Sequence, residues 1–325
     1  MRSALIATVI ASALFLSNCA THNPYVIEDI LEARTVSDHG LSLFVAGEFE
    51  AAITAFNAVI DYGTIESHHY TRRAAAYGAM EKYNVALKDT EEALRIEPDD
   101  WRAHLQRAVF HQRTHKFDEA IIDLDRALDI NPDQTELLRR RAYLKIVAGR
   151  YIDAVADYDA LTRAMPISDT GTLGRGVAQY LSGDWNKAAN AFANILEKSP
   201  DDGLAMLWLA KSGLRGAQPI GWEEFADDAG TEREWIMAHL LVTETDIIKL
   251  ENTILTLYET NGTESSDACE HALFLGTWRL INDHRYGAKS AFSAAVQNCP
   301  VDSIEGAEAR VELGRLNDAI ANPQG

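Results

Sequence analysis

Four prolines, Pro98, Pro132, Pro166 and Pro200, stand at intervals of 34 residues. A chain punctuated at that period folds as a stack of like units and not around one closed core. Framing the units from residue 33 brings Gly40, Ala74, Ala108, Ala142 and Gly176 to the eighth place and Ala52, Ala86, Ala120, Ala154 and Ala188 to the twentieth. Small residues thus recur where two helices must touch. The seventeenth place holds Phe49, Tyr83, Phe117, Tyr151 and Trp185, and the twenty-fourth holds Phe56, Thr90, Leu124, Tyr158 and Phe192. Most of these are bulky residues, suited to filling the gaps that small ones leave. Gly47, Gly149 and Gly183 fall at the fifteenth place, where a residue without a Cβ can leave a helix through the left-handed conformation. Each proline withholds the N–H that a continuing helix needs. The aspartates after Pro98, Pro132 and Pro200 are expected to help cap the helices that follow.

This pattern resembles the tetratricopeptide repeat, a helix, a tight turn and a second antiparallel helix per unit. The resemblance implies an all-α superhelix of antiparallel helix pairs with a C-terminal capping helix. It covers 33–202 as five units and returns at 269–302, where Gly276, Ala288, Phe292, Ala295 and Pro300 reoccupy the register and Arg285 departs from the aromatic seventeenth place. Between them, 203–268 reads as a degenerate helical segment: a lone first helix over Leu204 to Gly213, a loop over 218–231 and one or two amphipathic helices over 234–258. In 303–325, a last helix is expected to lay Val311, Leu313 and Leu316 on the final repeat and turn its Glu and Arg residues to water.

At the N-terminus Arg2 precedes an apolar stretch, Ala4 to Leu16, too short to span a bilayer, so 1–18 reads as a signal peptide and 19–32 as a tether and short helix. Leu16-Ser17-Asn18-Cys19 resembles a bacterial lipobox, with Asn18 where that pattern has Gly, Ala or Ser. The resemblance implies lipidation of Cys19, and Ala20 after it implies sorting to the outer membrane, facing the periplasm. The alternative is a secreted, unlipidated chain. Cys269 and Cys299 are the first and thirty-first places of one repeat, where an antiparallel hairpin brings its two ends together. A disulfide is expected there in an oxidising compartment, against two buried free thiols.

Signs of catalysis are poor. His111 and His115 have the spacing of a zinc-binding HExxH helix, but Gln112 stands where the general base belongs. His68 and His69, adjacent on a helix, are expected to point to different sides as structural residues. Neither a phosphate-binding GxxxxGK[ST] loop nor a GxSxG elbow occurs. Asn261-Gly262-Thr263 matches a glycosylation acceptor but reads as a turn. No enzyme, cofactor or metal is expected, and a formal net charge of −19 disfavours nucleic acid.

Function therefore falls to the concave groove that stacked first helices present. Its inward places hold Arg102, Leu105, Val109 and Arg113 in one repeat, Arg139, Tyr143 and Val147 in the next, and Tyr180 beyond. Apolar anchors beside arginines suit a protein or peptide partner that carries a carboxylate. The alternative is that Leu and Val pack on neighbouring helices and the arginines pair with Asp133 and Glu136. Serine, threonine and apolar residues at the fifth and ninth places rule out resemblance to a carboxylate clamp. Lipobox and repeats together resemble NlpI-like envelope lipoproteins, which implies a non-enzymatic scaffold for a periplasmic protease or cell-wall enzyme. Pilotins and assembly factors for secretion, pilus or outer-membrane systems share those features, and a homodimer is compatible with them.

Overall fold

The computed structural model describes residues 25, 27, 30–63, 66–216, 241 and 265–321, and every helix or strand among them is an α-helix. The signal segment, Cys19, the 218–231 loop, the 234–258 helix and Asn261 to Thr263 lie outside the described residues. The chain divides into two compact units, ending and beginning at Thr114 and His115. The first contains α1 (Ile30–Val45), α2 (Phe49–Asp61), α3 (Ser67–Ala79), α4 (Tyr83–Ile96) and α5 (Trp101–Arg113). The second contains α6 (Phe117–Ile130), α7 (Thr135–Val147), α8 (Tyr151–Ala164), α9 (Thr170–Ser182), α10 (Trp185–Leu196), α11 (Gly203–Leu214), α12 (Ser265–Ile281), α13 (Arg285–Asn298) and α14 (Ile304–Ala321). Within each unit consecutive helices pack on one another as antiparallel pairs.

The turn inside each pair is one device used repeatedly. Gly47, Gly149 and Gly183 adopt φ of 81°, 78° and 93°, and the same fifteenth place is left-handed at Glu81, His115 and Asp283, with φ of 58–59°. The next amide then donates backwards across the turn, as in Lys82 to the Tyr77 carbonyl at 2.9 Å and Arg150 to that of Lys145 at 2.7 Å. That 6→1 bond satisfies a helix-end carbonyl, and the turns at Glu81 and Asp283 keep it even without glycine, His284 donating to the Arg279 carbonyl at 2.8 Å, although a side chain makes the left-handed conformation costlier. The aromatic seventeenth residue is the first residue of each second helix from α2 to α10. Of the expected caps, Asp100 accepts from the Arg102 amide and Asp202 from that of Ala205. Asp133 is not the cap of α7; that position is Gln134, whose side chain makes no capping bond.

Pair spacing is set by a contact between the eighth and twenty-fourth places. A Cβ on Gly40, Gly176 or Gly276 would come within 2.8, 2.7 and 2.5 Å of Phe56, Phe192 and Phe292. Each glycine thus meets a phenylalanine ring, all three of which are fully buried. Ala74, Ala108 and Ala142 instead pair in register with Thr90, Leu124 and Tyr158.

A second periodic contact ties neighbouring helices through charge. Arg73 makes two bonds to Asp89, at 2.6 and 2.8 Å, and a third to Asn57. Arg141 repeats this with Asp157 and Asp125, and Lys145 joins it at 2.7 Å. In the next repeat Arg175 keeps only the bond to Asp159.

Gly176→Ala should destabilise by about 1–3 kcal/mol, because a fixed ring must move to admit a methyl group. Gly213→Ala, on a helix with nothing within 4 Å of the added carbon, should stabilise by about 0.5–1 kcal/mol. Urea unfolding of the two variants measures both; losses of equal size would contradict this packing.

Candidate protein-binding faces

In the second unit, the face of first helices α7, α9 and α11 is covered by α14. The Tyr143 hydroxyl donates to the Asp302 carbonyl at 2.6 Å just before α14, and the Tyr180 hydroxyl to Glu312 at 3.3 Å. Lys211 donates to both oxygens of Glu308 at 2.9 and 3.0 Å, while Arg215 and Arg315 pair with Glu312. Arg310 and Arg315 cover the C-terminal carbonyls of α7 and α9, donating to Val147 and Leu181. Cations there also meet the negative ends of the helix dipoles. Only about 90 Å³ remains among α11, α12 and α14.

This corrects the expected groove. Val147 and Tyr180 are buried, at 5 % and 0 % exposure, and Tyr143 is half-buried against α14, so none of the three offers an open surface. Burial and neighbouring carboxylates push both tyrosine hydroxyls up to about 12, so they remain donors throughout the ordinary pH range. Arg139 stays exposed, but Glu136 on its own helix takes it in two bonds at 2.7 and 2.8 Å and is itself held below the usual carboxylate range. The expectation for α14 is corrected too. Leu316 is buried and Leu313 half-buried on the α12–α13 hairpin, but Glu308 and Glu312 do not face water, each being 1 % exposed. The helix is amphipathic toward two partners: its leucines meet the last hairpin and its carboxylates meet α11. The Cys269 and Cys299 sulfurs are bonded across that hairpin, with Cα atoms 4.6 Å apart.

A buried carboxylate cannot lose its cation cheaply, and the reverse holds equally. Removing Glu308 with Ala should therefore cost about 3–5 kcal/mol, since Lys211 is left charged inside the protein. Denaturant unfolding of Glu308→Ala measures this; a loss under about 1 kcal/mol would mean the pair is solvated.

In the first unit, the corresponding face of α1, α3 and α5 has no covering helix among the described residues. Arg102 and Arg113 are exposed at the two ends of α5, and Leu105 and Val109 lie half-buried between them. Arg102 stacks over the Trp101 ring at 4.5 Å, and Arg113 donates to the Tyr83 hydroxyl at 3.2 Å. Opposite them, α3 presents the small residues Thr71, Ala75 and Ala79. Stacked arginines hold their planar forks in a defined orientation for a carboxylate.

The adjacent histidines depart from expectation: the rings of His68 and His69 lie 4.0 Å apart and do not point to different sides. With Glu66 their ligand atoms all fall within 4.8 Å. Arg72, however, donates to Ser37 Oγ at 2.7 Å, and the same oxygen is hydrogen-bonded to His69 Nδ1 at 3.2 Å. That contact occupies one imidazole nitrogen and puts a fixed positive charge beside any cation. Burial, with the neighbouring His68 and Arg72, lowers the His69 pKa to about 4. Between about pH 6.5 and 4 the unfolded imidazole binds a proton that the folded one refuses, so stability falls as pH drops through that window. Wild type should lose about 2–3 kcal/mol more than His69→Gln between pH 7 and 4, measured by urea unfolding. Equal losses would place a charged imidazole in the folded protein.

A signal missed in the sequence is the division of charge between helix types. Helices α3 and α5 carry Arg72, Arg73, Arg102, Arg107 and Arg113 and no carboxylate. Helices α7, α9 and α11 carry Arg139, Arg140, Arg141, Lys145, Arg175 and Lys211 against Glu136 alone. The second helices α6 and α8 instead carry Asp118, Glu119, Asp123, Asp125, Asp129, Asp153, Asp157 and Asp159 against Arg126 and Arg163. Helices α3, α5, α7, α9 and α11 are thus cationic in a chain whose formal charge is −19, whereas the first helices α1 and α12 each carry two carboxylates against one arginine.

Residues 71–135 and 178–218 match the family model described as tetratricopeptide repeat, so the chain carries these repeats. Over 79 residues it is 35 % identical to the tetratricopeptide repeat and J domain-containing co-chaperone DNJ1 of Cryptococcus neoformans. That stretch is 24 % of this chain and spans only 15 % of the relative's length. A tetratricopeptide repeat protein from Parabacteroides merdae superposes with a TM-score of 0.57 at 14 % identity, over 86 % of this chain and 98 % of that one. The C-terminal part of a repeat protein from Cytophaga hutchinsonii gives 0.53 at 17 % identity, over 81 % and 95 %. These likenesses establish the fold, an all-α solenoid of tetratricopeptide type.

Proposed function

We propose that this chain is a non-catalytic scaffold of the bacterial cell envelope, tethered through lipid on Cys19 to the periplasmic face of the outer membrane. It holds a protein partner such as a periplasmic protease or a cell-wall enzyme on the first-helix face of its first unit. One observation carries the reading: α5 leaves Arg102 and Arg113 exposed around Leu105 and Val109, whereas α14 covers the matching face of the second unit. Two stacked cations flanking an apolar strip form a surface with both anchoring area and specificity. The tether reading rests on Leu16-Ser17-Asn18-Cys19 and the apolar segment before it.

Two measurements test the halves separately. Cys19→Ala should move the protein from the membrane pellet to the soluble periplasm; unchanged fractionation would remove the lipid anchor. Arg102→Glu with Arg113→Glu should abolish pull-down of the principal partner from solubilised envelopes while circular dichroism stays helical. The control reverses Lys88 and Arg95, exposed on α4, and changes net charge equally. Equal weakening by both doubles would assign the effect to long-range charge and not to this face.

A further inference from the structure

We infer that α1 is a docking surface for a second copy of this chain, the two α1 helices packing antiparallel across a two-fold axis at the level of Val36. Among the described residues no helix precedes α1, which turns Ala33, Val36, Ser37 and Gly40 into its own unit. Its other side leaves Ile30, Leu31, Leu41 and Val45 exposed by 71, 70, 39 and 79 %. The end of a repeat array ordinarily shows water a polar face, because no further unit stacks on it. Leu41 and Val45 are the ninth and thirteenth places of their repeat. In α7 those places hold Tyr143 and Val147, on a helix that α14 packs against, and in α3 they hold the small Ala75 and Ala79. Large apolar side chains on both places thus go with a covering helix in α7, and α1 has the side chains without a cover among the described residues.

The kind of cover is written in the spacing and the charge. Leu31, Arg34, Asp38, Leu41 and Val45 follow one another at intervals of three, four, three and four residues, the seam along which one helix packs on another. Arg34 and Asp38 stand two residues either side of Val36, and Leu31 and Leu41 five either side. In a two-fold contact every pairing is made twice, once in each direction. An antiparallel pair about Val36 therefore lays Leu31 on Leu41 of the second copy and Arg34 on its Asp38, with both pairings repeated across the axis. A parallel pair would set Arg34 against Arg34 and Asp38 against Asp38. Both charges are open to a partner: Arg34 is exposed, and Asp38, 4.0 Å from Arg72, keeps 69 % of its side chain in water. The strip is thus complementary to itself, turned end for end, in shape of sequence and in sign of charge. Neither Arg102 nor Arg113 belongs to it, so this contact stands or falls apart from the scaffold reading.

Sedimentation velocity on the full chain in detergent, over a concentration series, reads the contact. The unmutated chain should pass from monomer to dimer as concentration rises. Arg34→Asp sets carboxylate against carboxylate in both charge pairings, and Asp38→Arg sets cation against cation. Each should raise the midpoint concentration by about tenfold or more while circular dichroism stays helical. Both substitutions in one chain return opposite charges to each pairing and should restore the original midpoint. An equal mixture of the two single variants should do the same, since each copy then supplies the sign that the other lacks. Monomer at every concentration would overturn the second copy as the occupant. A dimer that neither single variant weakens would put the interface elsewhere and overturn the role of α1. Weakening by the single variants with no rescue by the double variant or the mixture would overturn the antiparallel pairing.

Discussion

A carboxylate removed from water must meet a cation, and Glu308 and Glu312 are each only 1 % exposed. Their partners Lys211, Arg215 and Arg315 fix where the last helix can sit, across the inner ends of α9 and α11 and not merely on the hairpin before it. Lys211 is itself held over the Trp208 ring at 4.4 Å, and Trp208 packs on Tyr180 and Phe192. The ion pair is therefore seated on the largest hydrophobic cluster of the second unit, which also takes in Phe274, Trp278 and Ala307 from α12 and α14. Apolar burial supplies the driving force, and the charge pairs supply the register. A helix displaced by one turn would leave at least one of the two buried carboxylates without its cation.

The two units share a repeat plan but use their first-helix faces differently. In the second unit Tyr143, Val147 and Tyr180 belong to an internal interface with α14, and so work for the fold. In the first unit Arg102 stacks on Trp101 and Arg113 on Tyr83, and the strip between them is half-buried. The scaffold reading places partner binding there because the same type of face, elsewhere in this chain, already grips a carboxylate-bearing helix.

Much of the fold is legible in the 34-residue register, since the eighth, fifteenth, seventeenth and twenty-fourth places each answer to a local steric demand. Glu81, His115 and Asp283 show its limit: the left-handed turn is imposed by the hairpin, and glycine is a favourable but unnecessary way to make it. Arg73, Arg107, Arg141 and Arg175 recur at 34 residues just as the prolines do, and Asp89, Asp123 and Asp157 with them. That ladder was readable by the same count. The role of α14 was not, because Glu308 lies 97 residues from Lys211 and a charged helical face reads as solvated until its partner is known. The tilted His68–His69 ring contact was hidden for a related reason, the Ser37 and Arg72 hydrogen bonds that hold His69 inward.

The account depends most on α14 being seated in the second unit, and amide hydrogen exchange on the full chain tests that directly. Amides of Ile304–Ala321 should exchange as slowly as those of α11, and Glu308→Lys should release the protection of α14 while α2 and α4 keep theirs. Rapid exchange of α14 in the unmutated chain, at the rate of a lone helix beside a protected α11, would contradict it.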